Sequence, residues 1–142
     1  MINGVLITPL KIVETKGGNV LHSLKHQDQG FNCFGEAYFS EIHPNAIKAW
    51  KLHKDMTLNI TVPVGKVRFV LYDDRSETNG RFQELTISRT NYVRLTVPPR
   101  IWLGFQGLSN RNSLLLNVAD IPHDPKEVIK KDLNNIYFDW SK

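Results

Sequence analysis

A single cysteine, Cys33, stands in 142 residues. That excludes an internal disulfide framework and any zinc site built from several thiolates. Cys33 has no base partner in its neighbourhood and reads as inert, in a protein of a reducing compartment. No apolar run approaches the roughly 20 residues that span a bilayer. The first ten residues, MINGVLITPL, have neither a basic start nor a small-residue cleavage site, so a secretory signal is not expected. The expectation is a cytoplasmic protein with no membrane partner. Charge of one sign is also scarce: 18 basic against 14 acidic residues give a formal +4. The basic residues are scattered and form no stripe that would track a phosphate backbone, so no nucleic-acid partner is expected. The mild excess suits a small anionic ligand. There is no low-complexity tract and no repeat with a period of 20–50 residues. The length fits one domain, residues 1–142.

What is present is alternation. Leu58, Ile60 and Val62 share one face of a run, Val67, Phe69 and Leu71 share another, and Val93, Leu95 and Val97 a third. Period two over five or more residues means strands buried on at least one face. Val64-Gly65 between the first two runs predicts a tight hairpin. Lys16-Gly17-Gly18-Asn19 and Asn79-Gly80 mark turns. Pro98-Pro99 ends the third run, because proline cannot donate to a ladder. Many short strands at near-regular spacing predict an all-β barrel or a double-sheet jelly roll.

One helix is expected, from Pro125 to about Leu133. Asp124 caps it, Pro125 opens it, Glu127 stands in its first turn, and Val128, Ile129 and Leu133 give it an apolar side. The tail Ile136-Tyr137-Phe138-Asp139-Trp140 is too aromatic to be left loose, so it packs on the domain or on a second subunit. Asp73-Asp74-Arg75 reads as turn chemistry with an ion pair. His22, His26 and His43 show no metal spacing.

Three segments carry a more specific pattern: Lys48-Ala49-Trp50-Lys51-Leu52-His53-Lys54, then Val64-Gly65-Lys66-Val67 with Phe69-Val70-Leu71-Tyr72-Asp73-Asp74-Arg75, then Val97-Pro98-Pro99-Arg100-Ile101-Trp102-Leu103-Gly104-Phe105. In order and spacing they resemble the cupin-fold dTDP-4-dehydrorhamnose 3,5-epimerase family, in particular its shorter bacterial and archaeal members. The resemblance runs from about Gly4 to Trp140 and includes the ending Asn135-Ile136-Tyr137-Phe138-Asp139-Trp140.

The resemblance implies a cupin-type double-sheet jelly roll, here with the short C-terminal helix, and a homodimer. It implies a nucleotide-linked sugar as ligand and proton abstraction alpha to the C4 ketone of a 4-keto sugar, for surface polysaccharide synthesis. Such chemistry needs a base, an acid on the opposite side, and donors for the developing oxyanion. The family's base histidine falls at Lys51, and the second histidine of its shorter version falls at His53. These two are two residues apart, so they share a strand face. Other family positions are occupied by Leu103 (a histidine), Leu116 (near a tyrosine) and Leu58 (near a lysine). The arginine three before the base becomes Lys48, and the one before an N-terminal glycine falls at Gly17, beside Lys16.

The catalytic candidates are therefore His53, Lys51 and Tyr38, with Tyr38 as a replacement acid. Alternation puts Phe34, Glu36, Tyr38 and Ser40 on one face, which reads either as a lined pocket or as a polar outer edge. Candidate substrate-binding residues are Lys48 and Lys16 for phosphate, Glu36 in the same pocket, and Trp102 stacking at its mouth. On a regular strand Lys48 and Lys51 would face opposite ways, so Lys48 needs a bulge to reach the site. No cofactor and no metal are expected, since of the cupin metal positions only His53 is filled. Two alternatives stay open. One is a 3,4-ketoisomerase, whose His-x-His-Lys strand is half kept in Lys51-Leu52-His53-Lys54. The other is a sugar-nucleotide-binding or structural cupin without turnover.

Overall fold

The computed structural model describes residues 1–75 and 80–142. Its strands are β1 (Leu6–Pro9), β2 (Ile12–Val13), β3 (Val20–Leu21), β4 (Glu36–Ile42), β5 (Ile47–His53), β6 (Leu58–Val64), β7 (Lys66–Asp73), β8 (Arg81–Ser88), β9 (Val93–Val97), β10 (Trp102–Gly107), β11 (Ser113–Ala119) and β12 (Val128–Lys130). Two five-stranded antiparallel sheets face each other, in the orders β1-β9-β6-β11-β4 and β12-β5-β10-β7-β8, and β2 and β3 form a small separate ribbon. This is the double-sheet jelly roll that the alternation predicts. The apolar faces meet between the sheets: Leu58, Ile60, Val62, Val67, Phe69, Leu71, Leu95 and Val97 are all buried in one core.

The outer faces are covered too, which the alternation does not reveal. Asn59, Thr61, Arg68, Arg94 and Thr96 are buried although they alternate with the core residues. Segments outside the two sheets bond to four of them, Asn59, Thr61, Arg68 and Arg94, while Thr96 bonds to Asn59 on the neighbouring strand, as expected of buried polar groups. Arg94, fully buried, donates to the Ser23 carbonyl (2.8 Å), the Asp28 carboxylate (3.0 Å) and the Gln29 carbonyl (3.1 Å). It thereby pins the segment before β4 across the first sheet. Asn59 donates to the Gly30 carbonyl and accepts from Thr96 Oγ1. On the second sheet Arg68 donates to Gln106 Oε1 (2.6 Å) and to the carbonyls of Trp140 and Lys142. The aromatic tail thus packs on its own domain, where Phe138, Trp140 and Ile136 join Trp50, Leu52, Val70 and Trp102.

Two local expectations are corrected. Val64-Gly65 is not a hairpin: β6 and β7 lie in different sheets. Gly65 has φ +86°, and a Cβ there would lie 2.3 Å from Ser113 Oγ. The chain uses this glycine to step from one sheet to the other at a close approach. Nor is there a helix from Pro125 to Leu133. Asp124 does cap, accepting from the Lys126 N–H, but only for a 3-10 turn at Pro125–Glu127. Val128–Lys130 then adds a strand to the edge of β5, and a second 3-10 turn follows at Leu133–Asn135. Two β-branched residues with an open sheet edge beside them favour pairing over a helix that would be too short to stand alone. Lys16-Gly17-Gly18-Asn19 does connect β2 to β3, and the ion pair expected at Asp73–Arg75 is present at 2.8 Å. The Asn79-Gly80 turn falls partly outside the described residues.

Candidate active site

A cavity of about 1460 Å³ opens between the sheets. Its walls are the inner faces of β4 and β11 on one side and of β5 and β10 on the other, with the segment His123 to Asn135 along its rim. Its deeper lining is apolar, from Leu58, Ile60, Leu103 and Leu115, and its polar groups converge from several strands. A concave apolar site with a few placed polar groups is the usual form of a small-molecule site.

Five of the seven candidates from the sequence line this cavity: Glu36, Tyr38, Lys48, Lys51 and His53. Lys51 and His53 share the inner face of β5 by simple alternation. Lys48 joins them through a bulge. Against β10, Leu103 pairs with Lys51 but Phe105 pairs with Lys48, so β5 carries one extra residue. That residue reverses the parity of the strand and turns Lys48 inward, with Nζ 6.0 Å from the Phe105 ring.

Two candidates are corrected. Trp102 alternates with the inward Leu103 and therefore faces the other way. It is buried among Trp50, Leu52 and Val70, with its indole N–H donating to Asp74 Oδ2 at 3.0 Å. Its place is in packing, away from the cavity, although the Lys131 ammonium at the rim sits 4.3 Å from its ring. Lys16 lies on the exposed β2–β3 turn and does not line the cavity.

The residue that the sequence reading missed is Glu127. Its Oε2 lies 2.7 Å from Nδ1 of His53. Its Oε1 accepts the backbone N–H groups of Asp55 (3.0 Å) and Met56 (2.9 Å). Burial alone would raise the Glu127 pKa, but these hydrogen bonds together hold it below the ordinary carboxylate value. An ionised Glu127 accepts at Nδ1–H, which fixes the imidazole tautomer and leaves Nε2 as the nitrogen available to the cavity. The only sequence signal for Glu127 was its place in a helix-opening pattern, which hid its role.

Across the cavity, on the opposite sheet, Tyr38 stands directly opposite Asn117 in the β4–β11 register. Asn117 is buried, and its amide nitrogen donates to the Tyr38 hydroxyl at 2.9 Å. With that oxygen already accepting, the phenolic proton is left to donate elsewhere. Leu116, at the family's tyrosine position, has the opposite parity to the lining residues Leu115 and Asn117.

The second missed feature is a basic rim. Lys130 pairs with Lys51 in the β12–β5 register, and Lys130 and Lys131 line the cavity with Lys48 and Lys51. Partial burial, then the ammonium groups of Lys130 and Lys48, lower the pKa of Lys51. Among the described residues no three His, Cys, Asp or Glu side chains converge as a metal site would require, and no helix is long and apolar enough to cross a membrane.

No family model matches the chain. Among individual proteins, it is 30% identical to the probable low-salt glycan biosynthesis epimerase Agl13 of Haloferax volcanii, over 99% of this chain and 95% of that protein. It is 24% identical to the spore coat polysaccharide biosynthesis protein SpsL of Bacillus subtilis, over 99% of this chain and 97% of that one. Among solved structures, a dTDP sugar isomerase from Desulfovibrio desulfuricans superposes with a TM-score of 0.92 at 39% identity, covering 98% of this chain and 92% of the other.

Proposed function

The chain belongs to the cupin-fold family of dTDP-sugar isomerases and 3,5-epimerases, and from that premise we propose that it epimerises a dTDP-linked 4-keto-6-deoxy sugar for a surface polysaccharide. The observation that carries the reading is the placement of His53 with Glu127 on one sheet and of Tyr38 with Asn117 on the facing sheet, around one cavity.

In this reading His53 Nε2 takes the proton from the carbon next to the C4 ketone. Glu127 stabilises the imidazolium that forms, because its carboxylate is already ionised and faces Nδ1. Tyr38 returns a proton from the other side of the cavity. Removal on one face and return on the other inverts the carbon. Lys51, one pleat from His53, addresses the C4 oxygen. The flexible ammonium groups of Lys48, Lys130 and Lys131 suit the diphosphate as point charges, and Glu36 accepts from a ligand hydroxyl.

The two ends of this arrangement favour epimerisation over binding alone, since a pure binding site needs no ion-paired histidine opposite a hydroxyl donor. The 3,4-ketoisomerase alternative shares the first proton transfer and differs in where the proton returns. Incubating the protein with dTDP-4-keto-6-deoxyglucose in D2O, with the ring followed by NMR, tests the proposal. Deuterium at C3 or C5 with inversion supports it. Migration of the ketone to C3 supports the isomerase instead, and binding without exchange supports the inactive cupin.

With this activity we propose a homodimer in the cytoplasm. Strand β4 is a sheet edge paired only to β11 among the described residues, it carries the exposed Phe39 (64%), and Phe34 (67%) is exposed in the segment just before it. A second copy would cover them. The exposed free Cys33 suits a reducing compartment. Sedimentation velocity tests the dimer: a single species of 16.3 kDa would contradict it.

A further inference from the structure

We infer that Lys51 acts covalently: its Nζ forms an imine with the C4 ketone of the sugar, and His53 takes the adjacent carbon-bound proton from that imine. The inference rests on the epimerase reading above and deepens it.

The geometry comes first. Lys51 and His53 are neighbours on the inner face of β5, both in the cavity wall. The bulge adds Lys48 to that face, and β12 sets Lys130 directly opposite Lys51. Among the described residues no carboxylate lies within ion-pair distance of Lys51, although Glu36 and Asp132 line the same cavity. Lys51 stays accessible in the cavity wall; desolvation and the ammonium groups of Lys130 and Lys48 lower its pKa, which raises the share of the neutral amine, the form that adds to a carbonyl. The apolar lining by Leu58, Ile60, Leu103 and Leu115 adds a second argument. Against that apolar lining an uncharged enamine costs less to bury than a charged enolate.

The step balances with water alone. The Nζ lone pair attacks C4 and the C–N bond forms, while the carbonyl oxygen takes up a proton. The hydroxyl then leaves as water and a protonated imine remains. His53 removes the proton at C3 or C5, and that C–H electron pair becomes the C=C bond of an enamine. Tyr38 protonates the same carbon on the opposite face and restores the imine. Water adds at C4 and releases the ketone and the free amine. Nothing is oxidised or reduced.

Reductive trapping tests this. The intact protein is incubated with dTDP-4-keto-6-deoxyglucose and cyanoborohydride near neutral pH, then weighed and mapped by mass spectrometry. The expected result is one adduct, with the mass of the sugar nucleotide less one oxygen atom, on the peptide that holds Lys51. Excess dTDP suppresses it, Lys54→Arg keeps it, and Lys51→Arg abolishes it while the circular dichroism melt is unchanged. An adduct that survives Lys51→Arg, or that dTDP does not displace, overturns the inference. So does the absence of any adduct in a sample that exchanges deuterium at C3 or C5, and in that case the epimerase reading stands. Absence of both adduct and exchange overturns both.

Discussion

Nδ1 of His53 and Oε2 of Glu127 lie 2.7 Å apart although 74 residues separate them in the chain. The pair exists because β12 runs along the free edge of β5, with Val128 opposite His53. The residue just before β12 is thereby delivered to the end of β5. The same carboxylate closes the turn after β5 by accepting the Asp55 and Met56 N–H groups. One side chain both shapes the loop and orients the imidazole.

Replacing Glu127 with Gln is therefore expected to act on activity and on stability. The amide cannot stabilise an imidazolium as a carboxylate does, and kcat is expected to fall by about 10²-fold, within the usual range for a base lost or mispositioned. Stability is expected to fall by about 1–3 kcal/mol, the cost of buried groups left poorly paired. The sign of the pH effect follows from the lowered Glu127 pKa. The folded state favours the carboxylate, so this stabilisation is full above the unfolded value near 4.5 and is lost as pH falls through the lower folded value. Thermal melts from pH 7 to pH 3 check it: the wild type loses an acid-sensitive component that Glu127→Gln lacks.

Tyr38→Phe separates removal of the proton from its return. With His53 and Glu127 intact, deuterium still enters the ring from the His53 face. Inversion is expected to fall by about 10²–10⁴-fold, the span typical of a lost general acid. NMR of the product in D2O reads both quantities at once. Equal loss of exchange and inversion would count against Tyr38 as the returning acid. Asn117→Leu is expected to give a milder form of the same split, because it removes the donor that orients the Tyr38 hydroxyl.

Lys48→Ala and Lys130→Ala are expected to raise KM for the sugar nucleotide roughly tenfold each, the scale of one charge-assisted hydrogen bond. The effect shrinks as salt screens the diphosphate. Lys16→Ala and Trp102→Phe are expected to leave KM within about twofold, on the same scale, because neither residue lines the cavity. Steady-state kinetics at two salt concentrations check all four.

Arg94→Met is expected to destabilise the fold by about 3 kcal/mol, since it strands the Asp28 carboxylate and two carbonyls that Arg94 now satisfies. Urea denaturation measures it. A change below about 1 kcal/mol would mean that the segment from His22 to Phe31 is held by other contacts.

The core was legible in the sequence because Leu58, Ile60, Val62 and their counterparts alternate without interruption. The covered outer faces were not. Arg68 and Arg94 look like solvent residues until the terminal segments that bury them are in place, and those segments come from more than 60 residues away. Of the candidate site, His53 and Lys51 came from the family resemblance, with period two putting them on one face, while period two grouped Glu36 with Tyr38 and left open whether their face lines a pocket. Lys48 needed a bulge that only the β5–β10 register reveals. Trp102 was expected to stack at the cavity mouth, but it alternates with the inward Leu103 and packs in the second cluster under the C-terminal tail. Glu127 was hidden by a true local signal: Asp124 does cap, but sheet pairing ends the turn after three residues.

The most direct test of the account is deuterium wash-in from D2O into C3 and C5 of dTDP-4-keto-6-deoxyglucose, compared between wild type and His53→Ala. The account predicts exchange in the wild type and a loss of about 10²-fold or more in the variant, with dTDP affinity retained in both. Undiminished exchange in His53→Ala would contradict the assignment of His53, with Glu127 behind it, as the base that opens the reaction.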